Sequence, residues 1–135
     1  MDQDHPALVA ARSSWRCVHA KDKEGWLDLM AEDICVEDPI GIAPTNPDGK
    51  GVRGKAGMRE FWETNVDPNK IVIEAHESFA AGDESAHRMT LTTEFPNGLK
   101  MMVNGIFTYR VNDEGKLTNL RGYWSLDETE VSKPD

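Results

Sequence analysis

The chain is 135 residues long, 39% hydrophobic and 29% charged, the length and balance of one globular domain with a sizeable core. Twenty-four acidic against fifteen basic residues leave a formal charge of −9, which argues against nucleic acid and anionic membrane surfaces as partners. No apolar run approaches the roughly 20 residues of a membrane span, and the opening M-D-Q-D-H-P lacks the three regions of a signal peptide, so a cytoplasmic location is expected.

Leu8, Ala11, Trp15 and Val18 recur at helical spacing and predict an amphipathic helix over 6–21, with Pro6 suited to its first turn. Asp22 is a suitable N-cap for a shorter second helix whose apolar face holds Trp26, Leu27 and Met30. The next stretch, I-C-V-E-D-P-I-G at 34–41, reads as a strand. Ile34, Val36 and Asp38 lie two apart and share its face, and two of the three are apolar, so that face points to the core. Pro39 cannot continue an interior ladder. Asp38 therefore stands at a strand end with its carboxylate aimed inward. A carboxylate so placed must be bonded, paired or lining a cavity. The alternative is an Asp38 that folds back to cap the 39–41 turn.

Residues 41–54 carry four glycines and two prolines and read as a long loop, either the rim of a site or a plain solvated connection. A third helix begins near Lys55, with Met58, Phe61 and Trp62 on one side. After Asn69 the pattern is strands. Ile71 and Ile73 alternate with Val72 and Glu74; His87, Met89 and Leu91 alternate with Arg88, Thr90 and Thr92. Pro96-Asn97-Gly98 and Asn112-Asp113-Glu114-Gly115 supply hairpin turns, with strands over 99–111 and 117–125. The polar tail 128–135 is expected to fray.

Helices first and antiparallel strands second predict an α+β fold: three N-terminal helices packed on a strongly curved, mostly antiparallel sheet, a cone whose interior is a cavity. Met30, Trp62, Met89, Met101, Phe107 and Trp124 are candidates to line it; plain core is the other use of such residues. Cys17 and Cys35 are expected to be free and buried. The four histidines show no metal-ligand spacing, and no Walker loop, G-x-G-x-x-G or G-x-S-x-G is present, so neither metal nor cofactor is expected.

The segment A-E-D-I-C-V-E-D-P-I-G at 31–41, M-R-E-F-W at 58–62 and L-R-G-Y-W-S at 120–125 resemble Δ5-3-ketosteroid isomerase, in the nuclear transport factor 2-like, or SnoaL-like, superfamily. The resemblance runs from about residue 8 to 127. It implies a cone-shaped domain that takes a flat apolar ligand such as a steroid, forms a homodimer, and uses Asp38 as a general base moving a proton from C4 to C6 through a dienolate. Ketosteroid isomerase is a standard worked case of an Asp base with a modestly raised pKa. The implied cavity residues are Ser14, Val18, Met30, Ile40, Trp62, His87, Met89, Phe107 and Trp124. The same resemblance places Ser14 where the family has a tyrosine donor on the first helix, and Phe107 where it has a protonated aspartic acid. Neither family donor is present. The indole N–H groups of Trp62 and Trp124, a water on Ser14, and His87 are the candidate replacements. A non-catalytic steroid or lipid-like binding protein, and thirdly a hydratase or dehydratase on a cyclic ketone, remain open because the superfamily hosts all three.

Overall fold

A computed structural model describes residues 3–133. Helix α1 spans Pro6–Ala20. Its N-terminus is capped by the His5 ring, which accepts the Ala7 N–H at 3.1 Å. It buries Leu8, Ala11, Ser14 and Val18, spaced three or four apart on one stripe, with Ala7 and Ala10 beside them. Lys21 closes it in the left-handed region at φ 58°, and its ammonium bonds the carbonyls of Val66 and Asn69. Helix α2, Lys23–Asp28, starts at Asp22 as expected, the carboxylate accepting the Gly25 N–H at 3.0 Å.

Strand β1 runs over Met30–Glu37 and the short β2 over Val52–Arg53. Helix α3, Gly54–Phe61, widens into a π-helical turn at Trp62–Val66. Four long strands follow: β3 Lys70–Ala81, β4 Glu84–Glu94, β5 Lys100–Val111 and β6 Leu117–Tyr123. Turns at Phe95–Gly98 and Asn112–Gly115 join β4 to β5 and β5 to β6, each closed by a carbonyl accepting the glycine N–H at 2.9 Å.

The sheet order is β2-β1-β6-β5-β4-β3, parallel only between β1 and β6. It is curled and unclosed, and α1 packs across β3, β4 and β5 while α3 packs on β1. This is the cone-shaped α+β fold the sequence predicts. No helix among the described residues is long and apolar enough to cross a membrane.

Three local expectations need correction. Met30 opens β1 instead of closing α2, because Leu29 caps that helix and Met30 then pairs with Leu117. The strand before Gly82 is far longer than the Ile71–Ile73 alternation suggests; a register shift between Ala75 and Glu77 breaks the two-residue pattern that would have marked it. The tail does not fray over Glu130–Ser132, which forms β7 beside Lys100–Met102 of β5, where β6 does not reach. Residues 134–135 of that tail lie outside the described residues.

Candidate active site

A cavity of about 280 Å³ opens between α1, the α3 region and the inner face of the sheet. Val18 and Trp26 line it from the helices, Ile71, Ile73, Met89 and Leu91 from β3 and β4, and Val103, Phe107 and Tyr109 from β5. The walls are overwhelmingly apolar, and the volume sits at the lower end of ligand pockets, roughly 300–1,000 Å³.

Asp38 lies one residue past the end of β1 and lines this cavity. Ile34 and Val36, on the same side of the chain, are 0% and 1% exposed, so the alternation that aims Asp38 inward holds to the strand end. The side chain does not cap its own turn. Its Oδ1 accepts the Trp124 indole N–H at 2.7 Å, and it has no ion pair among the described residues. Burial in apolar surroundings pushes its pKa from 3.8 up to about 6, with the Trp124 bond pulling the other way.

The backbone around it is pinned. The Thr45 hydroxyl donates to the Asp38 carbonyl, and the fully buried Asn46 amide donates to the Pro39 carbonyl at 3.0 Å while accepting the Gly51 N–H at 2.8 Å. The Asp38–Pro39 peptide is cis, and the Ile40 N–H donates to Gly122 O at 3.0 Å. The loop after β1 is thus a rim, with Pro44 and Thr45 in the cavity wall. Gly122 is required where it stands. A Cβ there would fall 2.7 Å from Asp38 Oδ1 and 2.8 Å from Trp124 Nε1.

Of the residues singled out from the sequence, Ser14, Val18, Asp38, Met89, Met101, Phe107 and Trp124 meet around the cavity. Met30, Ile40, Trp62 and His87 do not. Met30 is 1% exposed and belongs to the core beneath. Ile40 is half-buried in the rim, outside the lining. Trp62, the first residue of the π-helical turn, packs 5.2 Å from the Trp26 ring and spends its indole N–H on Asp67 at 2.8 Å. His87 sits behind the wall, its two ring nitrogens held by Ser85 at 2.8 Å and Ser78 at 2.7 Å. Burial pushes its pKa down to about 4, so it is neutral at physiological pH.

Neither indole is therefore a free donor: Trp62's faces Asp67 and Trp124's faces the base itself. Ser14 is 3% exposed, and its oxygen accepts the Trp26 N–H at 3.1 Å. Trp26, Trp15 and Tyr109 are among the lining residues that the sequence does not single out for the cavity. The helical spacing marks Trp26 only as helix core. It marks Trp15 the same way, although Trp15 half-emerges into the cavity. Tyr109 falls two residues after Phe107 on the strand's inner face, a signal that was available from the alternation of β5.

The SnoaL-like domain family model matches residues 11–120. A Δ5-3-ketosteroid isomerase from Mycobacterium sp. is 51% identical, covers 95% of this chain and 99% of its own, and superposes with a TM-score of 0.92. The protein RV0760c of Mycobacterium tuberculosis, in complex with estradiol-17beta-hemisuccinate, is 49% identical over 93% of this chain and 98% of its own, with a TM-score of 0.91. A computationally designed 17-OHP binder is 45% identical over 96% and 98%, with a TM-score of 0.93.

Proposed function

The chain belongs to the SnoaL-like domain family, and from that premise we propose that it is a cofactor-free steroid Δ-isomerase with Asp38 as general base. The carrying observation is one carboxylate with a pKa near 6, hydrogen-bonded once, in the wall of an apolar cavity. Such a group is ionised at pH 7 yet basic enough to take a carbon-bound proton when the adjacent carbonyl absorbs the charge.

The steps balance without an added reagent. Asp38 takes the proton from C4, the C4–H electron pair becomes the C3–C4 double bond, and the ketone oxygen becomes a dienolate oxygen. The oxygen lone pair then re-forms the carbonyl, the diene shifts to C4=C5, and C6 takes the proton back from Asp38. Apolar walls hold the flat skeleton and exclude the water that would compete for the proton. The similar isomerase from Mycobacterium sp. supports this reading. A homodimer in the cytoplasm is part of the same proposal.

The second reading is a steroid-binding protein with no turnover. The lining favours it, being apolar apart from a few polar groups, and so does the similarity to a protein held in complex with an estradiol ester. Nothing favours a hydratase, since His87, the one histidine proposed to face the base, is enclosed by two serines. The deciding measurement is androstenedione formation from its Δ5 isomer by wild type and Asp38→Asn. Turnover that falls by several orders of magnitude in the variant is expected. Equal background rates would leave only binding.

A further inference from the structure

We infer that the Tyr109 hydroxyl, held by the Trp15 indole, is the hydrogen-bond donor that receives the ligand's ketone or enolate oxygen. The inference rests on the steroid-site reading above and names the group that reading lacks. Removing one such donor from an oxyanion site typically costs about 100–1,000-fold in rate. Of the two positions implied by family resemblance, Phe107 has no donor, and the Ser14 hydroxyl, held by Trp26, has a much shorter reach than a phenol.

Tyr109 combines burial, reach and an uncommitted proton. It lies on the inner face of β5, is 3% exposed, and lines the same cavity as Asp38. Its oxygen accepts the Trp15 indole N–H at 2.8 Å. Its ring is fixed edge-on between Trp15, at 6.1 Å, and His87, at 5.4 Å. A phenol whose oxygen is already accepting keeps its own proton to give, and among the described residues no acceptor takes that proton. Accepting one bond also strengthens the bond it donates, because the two polarise each other. Burial raises the phenol's pKa, so it stays protonated through the working range. Trp124 is committed to Asp38, Trp62 to Asp67, Thr45 to the Asp38 carbonyl, and both His87 nitrogens to serines, which leaves Tyr109 as the long-reaching hydroxyl of the lining, beside the shorter hydroxyls of Ser14 and Thr93.

In the isomerase cycle Tyr109 touches the reacting oxygen, whereas Trp15 acts through Tyr109 and is a positioning residue. The test pairs kinetics with binding. Tyr109→Phe should lower kcat by about 100-fold with Asp38 intact, and Trp15→Phe by roughly tenfold. The Trp15 effect should vanish in the double variant, which also removes the unpaired indole N–H that Tyr109→Phe leaves behind. In parallel, affinity for equilenin is compared with affinity for its 3-deoxy analogue. Tyr109→Phe should weaken the phenol at least tenfold and leave the deoxy compound unchanged, a split that a purely structural role would not produce.

If wild type turns over and folded Tyr109→Phe keeps its rate within threefold, the assignment is overturned while the isomerase reading stands. Should wild type show no isomerisation, that reading fails by itself and the equilenin comparison decides. Equal losses for both ligands, or no binding of either, would reject Tyr109 as the donor.

Discussion

Asp38 carries a stability cost that its proposed role requires. Its folded pKa of about 6 lies above the ordinary 3.8, so the native state holds this proton more tightly than the unfolded chain does. Ionisation therefore removes stability as pH rises from about 4, and the loss is complete above about 6. Its upper bound is about 3 kcal/mol, reduced in practice because the carboxylate is only half-buried and opens to the cavity. Asp38→Asn should accordingly melt above wild type at pH 8 and together with it near pH 4, while losing turnover at every pH; a variant less stable at pH 8 would mean the carboxylate is not desolvated. The Trp124 bond works in the opposite direction, holding the pKa down. Trp124→Phe should therefore push the acid limb of kcat/KM to higher pH, leaving less base at neutrality. An unchanged limb would show that this hydrogen bond does not tune the proposed base.

Strand β6 and the rim after β1 bring that pair together, and Gly122 is the point where they meet. Gly122→Ala would drive a methyl into Asp38 Oδ1, Trp124 Nε1 and the Phe107 ring edge, all within 3.1 Å of the new carbon. A rigid indole and a strand-held ring cannot both retreat, so turnover should collapse and stability fall by about 1–3 kcal/mol. A crystal structure of the variant with the Asp38–Trp124 bond intact and full activity would contradict this. At the same scale, β1 could be read from the sequence because Ile34, Val36 and Asp38 obey a strict two-residue period, broken by Pro39. The far half of β3 could not. It is an edge strand, its register slips at Ala75–Glu77, and residues 74–77 are all exposed, so the alternation that resumes at 78–81 is out of phase with Ile71 and Ile73 and is carried by Ser78, Phe79 and two alanines. The sites of Met30, Trp62 and His87 are obscured for another reason: inward-facing and cavity-lining look identical in sequence, and only tertiary partners separate them, Leu117 for Met30, Asp67 for Trp62 and two serines for His87.

The whole molecule leaves one feature that its inner cavity does not explain. On the outer face of the sheet Phe79 is 62% exposed, Tyr123 49%, Ile106 41%, Val72 39% and Met102 36%. The register pairs four of them across strands, Val72 reaching Met102 through Thr92, and Ile106 opposing Tyr123. On β5 the outward Met102, Asn104 and Ile106 alternate with inward Val103, Phe107 and Tyr109, so one strand serves the cavity and this face at once. Exposed apolar side chains gathered on one sheet face mark association surfaces, and a two-fold dimer that buries roughly 800 Å² per partner would cover them. Sedimentation at micromolar concentration should give twice the 15.1 kDa chain mass. Ile106→Glu places a charge at the middle of that face and should return a monomer, with steroid binding retained because its side chain points away from the cavity. The catalytic readout is more sensitive. Tyr123 sits on this face directly beside Trp124, whose indole holds Asp38. Loss of the partner should therefore loosen the base and lower kcat more than it weakens ligand affinity. A wild type that sediments as a monomer, or an Ile106→Glu variant that stays dimeric, would place the interface elsewhere.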